Sequence, residues 1–401
     1  MEARFSPRIK RLLHTAVLLL PVLEFGCVGE EPVPDSGAEA ESSGRLVIIG
    51  GGLQAENSAV YKAILDGRTG DGPVCVFPTA SAEPRASMES AVERIEAVGG
   101  PGTGRGILLT VDNPEEAALP STVEAIQSCG GFYFSGGVQT RIVEVFRPAG
   151  GDTPSFHALM DRFESGAPVS GSSAGAAIMS DPMIGGGSSV GALTSGIRTR
   201  EDGEGVILEK GLGFLENTLV DQHFLARGRW ARLLVAVLET EAYTFGAGID
   251  ENTALVVQGD SAWVVGESGV VFFDTRNVVA GEGDRKVSGI EVFLLGSGDG
   301  LDLTSGEVHF GPAKSRIPES GEAPAVEDLD LFERWGFLRF FARSASVPDT
   351  VFTFRQDGFA FEMLKGPGYR AVSAAGEGVE GAPRGLAAGP LILSFRPSPE
   401  S

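Results

Sequence analysis

Positive charge is scarce in this sequence. Lysine and arginine number 32 against 54 aspartates and glutamates, for a net charge of -22. A phosphate-rich partner would meet a repulsive field, so nucleic-acid binding is not expected. Cysteine is rarer still, at three residues, Cys27, Cys75 and Cys129, with no CxxC pair. The four histidines, His14, His157, His223 and His309, form no HExxH motif, so neither a protein zinc site nor any other cofactor is expected. The apolar stretch Leu12 to Leu23 falls short of the about 20 residues a spanning helix needs, and Pro21 interrupts it.

That stretch follows Arg4, Arg8, Lys10 and Arg11, so residues 1–27 read as an export signal. Cys27 follows Gly26 as at a bacterial lipid-attachment site, although Glu24 stands where an aliphatic residue is usual. Plain secretion, periplasmic release and a membrane tether through lipidated Cys27 are all left open. Residues 28–44 are mostly Pro, Gly, Ser and acid without an apolar face, and read as a flexible acidic linker. Once the signal is removed, Cys75 and Cys129 are the two remaining thiols, open to one bridge or to two buried free thiols.

From residue 45 onward, short apolar runs end in turn residues. Leu46 to Ile49 precedes Gly50-Gly51-Gly52, and Val74 to Phe77, Gly106 to Val111 and Gly131 to Phe134 repeat the theme. Helical stretches lie between or after them at Ser87 to Val98, Pro120 to Gln127 and Gln139 to Phe146. Strands alternating with helices predict an α/β fold, a doubly wound and mostly parallel sheet whose ligands sit at the carboxyl ends of the strands. Met183 to Glu209 reads as a loop or hairpin over the site, and Trp230 to Glu239 as an amphipathic helix. Residues 45–302 form the main domain, and residues 303–401 a small β-rich C-terminal addition with no assigned role.

A serine nucleophile must stand on a turn so sharp that the positions two before and two after it can hardly carry a side chain. Gly171-Ser172-Ser173-Ala174-Gly175 meets that requirement after an apolar strand and before a run of small residues. The Ala174 N–H would then lie at a helix N-terminus, suited to an oxyanion. Of the histidines, His223 stands out, because Asp221-Gln222-His223-Phe224 follows apolar Leu219-Val220 and precedes Arg227, Arg229 and Arg232. Guanidinium groups pair bidentately with carboxylates, so the three arginines read as carboxylate recognition. The order Ser173, Asp250, His309 would alternatively suit an α/β-hydrolase esterase.

These segments, together with Gly136-Gly137-Val138-Gln139 and Gly248-Ile249-Asp250-Glu251-Asn252, resemble the successive motifs of the cyanophycinase and aspartyl dipeptidase (dipeptidase E) family of serine peptidases. The resemblance implies a class I glutamine-amidotransferase-like fold and a Ser-His-acid triad with the acid between serine and histidine. Glu201 is then the first candidate, with Asp202 and Glu204 close behind, and Glu251, after the histidine, is the runner-up. It further implies an oxyanion hole at Gly137 and Ala174, and a pocket lined by Gln139, Asp221, Gln222, Arg227, Arg229 and Arg232. The expected substrate is a peptide or polymer bearing carboxylate and arginine groups. Foremost is cyanophycin, multi-L-arginyl-poly-L-aspartate, cut to β-Asp-Arg dipeptides through an acyl-enzyme. A dipeptidase or exopeptidase for other acidic or β-aspartyl peptides and a non-catalytic binding lipoprotein are the alternatives, and a homodimer is left open.

Overall fold

The computed structural model describes residues 43–281, 286–319 and 329–398. The expected signal and nearly all of the expected linker lie outside the described residues. Gly44, assigned to the linker, is already docked, its N–H donating to the Phe163 carbonyl at 2.7 Å. Among the described residues no helix is long and apolar enough to cross a membrane.

Five parallel strands form one half of a nine-stranded sheet: β1 (Leu46–Ile49), β2 (Val74–Phe77), β3 (Gly104–Gly106), β4 (Gly131–Phe134) and β5 (Val169–Ser172), in the order β1-β5-β4-β2-β3. Antiparallel strands Thr253–Gln258 and Ser261–Gly266 extend the sheet beyond β1. Each parallel strand except the short β3 is buried on both faces. Val47, Ile49, Val74 and Val76 face one apolar layer, and Ile48, Cys75, Phe77, Phe132 and Phe134 face the other. This two-sided burial is why β1 and β2 read as unbroken apolar runs. Helices Pro84–Gly99, Pro120–Gln127, Gln139–Phe146 and Pro154–Glu164 occupy the crossovers. The fold is α/β, as expected.

Gly106 to Val111 was expected as a strand, but β3 ends at Gly106. The Leu109 N–H turns back to the Ile107 carbonyl at 2.9 Å, a bond across two residues that no strand ladder can accommodate. Cys75 and Cys129 are joined by a disulfide, which resolves the choice left open for the two thiols.

A second sheet runs in the order Ser315–Arg316, Phe359–Ser373, Ala387–Pro397, Val287–Gly296, Gly269–Asp274, Phe245–Ile249, Thr218–Gln222, with Val351–Gln356 pairing Phe359–Ser373. The C-terminal strands are therefore hydrogen-bonded continuations of the sheet that carries Thr218–Gln222. Helix Trp230–Glu239, expected to be amphipathic, is buried on every face from Trp230 to Leu238. The C-terminal region covers its outer side. The Trp230 ring stacks on Phe332 and Phe337 at centroid distances of 5.4 and 4.9 Å, and its Nε1–H donates to the Leu331 carbonyl at 2.9 Å.

Candidate active site

The site assembles at the carboxyl end of β1. The Ser173 N–H donates to the Ile49 carbonyl at 2.9 Å, the His223 N–H to Gly50 at 2.7 Å, and the Asn252 N–H to Gly51 at 2.8 Å. One strand end thus ties down three loops that are far apart in sequence. Gly51 is required there, because a Cβ would lie 2.3 Å from His223 Cε1. The turn at Ser173 is equally restrictive. A Cβ on Gly171 would lie 2.1 Å from the Gly175 carbonyl oxygen, and one on Gly175 would lie 2.4 Å from that of Phe134. Ser173 and His223 both adopt left-handed backbone, at φ 55° and 48°, a conformation that side-chain-bearing residues adopt at a cost and retain mainly at functional sites.

His223 Nε2 lies 2.9 Å from Ser173 Oγ, and His223 Nδ1 lies 2.6 Å from Glu251 Oε1. Serine, imidazole and carboxylate form one continuous hydrogen-bonded relay. Burial lowers the His223 pKa below its ordinary value. The Glu251 hydrogen bond opposes this, while the charges of Arg227 and Arg229 add to the lowering. A neutral imidazole able to accept a proton is therefore favoured near neutral pH. Asp250, next to Glu251, is buried and receives the Ala226 N–H at 2.9 Å and the Ser268 hydroxyl at 2.5 Å. Burial raises its pKa to about 6.

The structure places the residues expected from the sequence unevenly. Ser173 and His223 come together. Glu201, expected as the orienting acid, is exposed in the segment between the short strands Ile197–Arg198 and Val206–Glu209, and Glu251 occupies the position at His223 Nδ1. The loop after Phe245–Ile249 delivers that carboxylate because Phe245–Ile249 runs parallel and adjacent to Thr218–Gln222, which delivers the histidine. His309, the histidine of the esterase order, is exposed on an edge strand and faces Glu307 at 3.8 Å. Gly136 borders the serine, a Cβ there falling 3.3 Å from Ser173 Cβ, while the next residue, Gly137, packs against the Ala80 carbonyl, 2.0 Å from where its Cβ would lie. The Ala174 N–H opens helix Ala174–Ala177 and so has no acceptor within that helix.

The three arginines differ from one another. Arg232 is 4% exposed, donates to both Asp221 oxygens at 2.7 and 2.6 Å, and reaches the Gly187 carbonyl at 2.7 Å. Its guanidinium and the Asp221 carboxylate, both expected to line the pocket, are instead committed to each other. Arg229 is partly buried and donates to the Gln222 carbonyl and side-chain oxygens at 2.6 and 2.9 Å. Burial lowers its pKa to about 10. Arg227 is exposed. The Gln139 amide donates to the Ile184 carbonyl at 3.0 Å, and so holds the small three-stranded sheet formed by Met183–Gly186, Ile197–Arg198 and Val206–Glu209.

The profile of Peptidase family S51 matches residues 46–265, which span β1, the serine turn, the histidine strand and Glu251. The chain belongs to peptidase family S51. It is similar to the cyanophycinase of Geminocystis herdmanii, at 30% identity over 63% of this chain and 92% of that protein. The cyanophycinase of Synechococcus elongatus is 29% identical over 69% of this chain and 79% of its own length. Among solved structures, a peptidase from an acI-B1 Actinobacterium covers 59% of this chain and 93% of its own, with 22% identity and a TM-score of 0.45. Family membership makes the chain a serine-type peptidase, and residues 303–401 lie beyond the matched segment.

Proposed function

We propose that this S51 peptidase hydrolyses cyanophycin to β-Asp-Arg dipeptides through an acyl-enzyme, with Ser173, His223 and Glu251 as its triad. The observation that carries the reading is the unbroken Glu251–His223–Ser173 relay, in a chain 30% and 29% identical to two curated cyanophycinases. His223 Nε2 takes the Ser173 proton as Oγ attacks the scissile carbonyl, and Glu251 holds the ring and stabilises the imidazolium that forms. The tetrahedral oxyanion is received by the N–H groups of Ala174 and Gly137. The imidazolium then protonates the leaving amine, the acyl-enzyme forms, and water activated by the same imidazole releases the product. Arg227 and Arg229 present positive charge to the carboxylates of the polymer arms, in a protein that is otherwise strongly acidic.

Labelling with a fluorophosphonate tests the nucleophile. Modification at Ser173 in the wild type and none in Ser173→Ala is expected, and equal labelling of both would remove the serine mechanism. Turnover of polymer against free acidic dipeptides tests the substrate class. Export to an oxidising compartment is part of the same proposal, supported by the Cys75–Cys129 disulfide and by the basic-apolar leader. Intact mass from the native host should begin at or near Cys27, and a retained Met1 would refute export.

A further inference from the structure

The segment matched to the peptidase family ends at residue 265, yet the chain beyond residue 303 reaches back to the catalytic region. Between His223 and helix Trp230–Glu239 the backbone makes the short turn Leu225–Arg227 and passes through Gly228. Leu225, Ala226 and Gly228 are buried, Arg229 is partly buried, and Arg227 alone is exposed. The turn is thus a buried pedestal that presents one charged side chain beside the imidazole.

Three parts of the chain hold the pedestal's backbone. Asp250 accepts the Ala226 N–H at 2.9 Å, the Ser189 hydroxyl donates to the Gly228 carbonyl at 2.6 Å, and the Trp335 N–H donates to the Leu225 carbonyl at 2.9 Å. The last of these bonds comes from the C-terminal region. There the two backbones touch, since a Cβ on Gly228 would lie 1.9 Å from the Phe332 carbonyl oxygen. With φ at 57°, Gly228 is also left-handed, so glycine both makes the bend and admits the loop 330–336 against it. That loop is organised by Asp330, an exposed residue whose Oδ1 accepts the N–H groups of Phe332 and Glu333 at 2.8 and 3.1 Å and the Gln356 amide. Gln356 in turn accepts the Leu331 N–H at 3.0 Å.

We propose that the C-terminal extension is a positioning element of the active site, in which loop 330–336 sets the turn that aims Arg227 at the substrate, with Asp330 as its positioning residue. The proposal rests on the reading of Arg227 as a contact for substrate carboxylates. A guanidinium on a long exposed side chain recognises a carboxylate with least entropic cost when its own backbone is already fixed. The relay is anchored elsewhere. Ser173, His223 and the Glu251 loop are tied to Ile49, Gly50 and Gly51 at the end of β1. Loosening the loop should therefore weaken recognition of charged substrate and spare the chemistry.

The test is Asp330→Ala in the mature chain, an exposed substitution that removes the loop's internal bonds without opening the core. Hydrogen exchange should quicken in the peptide spanning residues 224–229, and KM for a short cyanophycin segment should rise about threefold or more while kcat stays within about twofold. Turnover of an uncharged ester should not change. Asp330→Asn keeps the acceptor oxygen and should restore the wild-type KM. In an Arg227→Gln background Asp330→Ala should add nothing further, because the side chain that the loop aims is gone. Unaltered exchange and KM, or a rise in KM that is as large without Arg227, would overturn the positioning role and leave the hydrolytic reading intact. Faster exchange at 224–229 in Asp330→Ala, from a wild type that cleaves neither substrate, would remove the hydrolytic reading and leave the extension as the support of the turn.

Discussion

At the scale of single residues, the proposed mechanism depends on which carboxylate faces His223. Glu251→Gln keeps the shape at Nδ1 and loses the charge, so kcat should fall on the order of a thousandfold or more. Glu201→Gln should be nearly silent, because that side chain is exposed away from the relay. Steady-state kinetics of the two variants check the assignment, and the reverse ranking would return Glu201 to the triad. Arg227 is charged near a histidine whose neutral form is the base. Removing that charge in Arg227→Gln should raise the His223 pKa, so the acid limb of the kcat/KM profile should move to higher pH. A limb that moved down or stayed in place would remove Arg227 from the field at His223. Ser173 and His223 were legible because each sits in a local motif, a glycine-flanked turn and a polar cluster at a strand end. Glu251 was less so. Its placement depends on two parallel strands lying side by side, a contact between segments that no local spacing records.

At the scale of elements, the central strands were legible wherever burial on both faces leaves a run of apolar residues, as in Leu46–Ile49 and Gly131–Phe134. Helix Trp230–Glu239 was located correctly but read as half exposed, because its covering layer comes from residues about a hundred positions later. The same remoteness hid the role of Arg232, which reads as a pocket arginine and is a buried partner of Asp221. That pair joins the helix to the strand that delivers His223. Arg232→Ala should therefore cost up to about 3–5 kcal/mol of stability by removing the bidentate partner of buried Asp221 and leaving it the Gln222 N–H and the Arg229 guanidinium 3.9 Å away, measurable by chemical denaturation. A change confined to KM, with stability intact, would instead restore Arg232 to substrate recognition.

At the scale of the whole molecule, the C-terminal region is bound to the site-bearing sheet by the Val287–Gly296 and Ala387–Pro397 ladder and by the aromatic layer over Trp230. The sequence marked the region as β-rich without the strand Ala387–Pro397 that attaches it, since pairing of residue 290 with residue 393 leaves no local mark. Truncation after Asp302 should expose Trp230, Ile290, Val292 and Leu294 and yield insoluble protein, and a soluble, active fragment would make the extension a separate domain. The account as a whole joins a Ser173 nucleophile to a polymer substrate, and one measurement addresses both. Purified mature protein is incubated with insoluble cyanophycin and the soluble products are identified by mass spectrometry, beside Ser173→Ala. The account predicts β-Asp-Arg dipeptide from the wild type and none from the variant; no dipeptide from the wild type, or equal release by both, would contradict it.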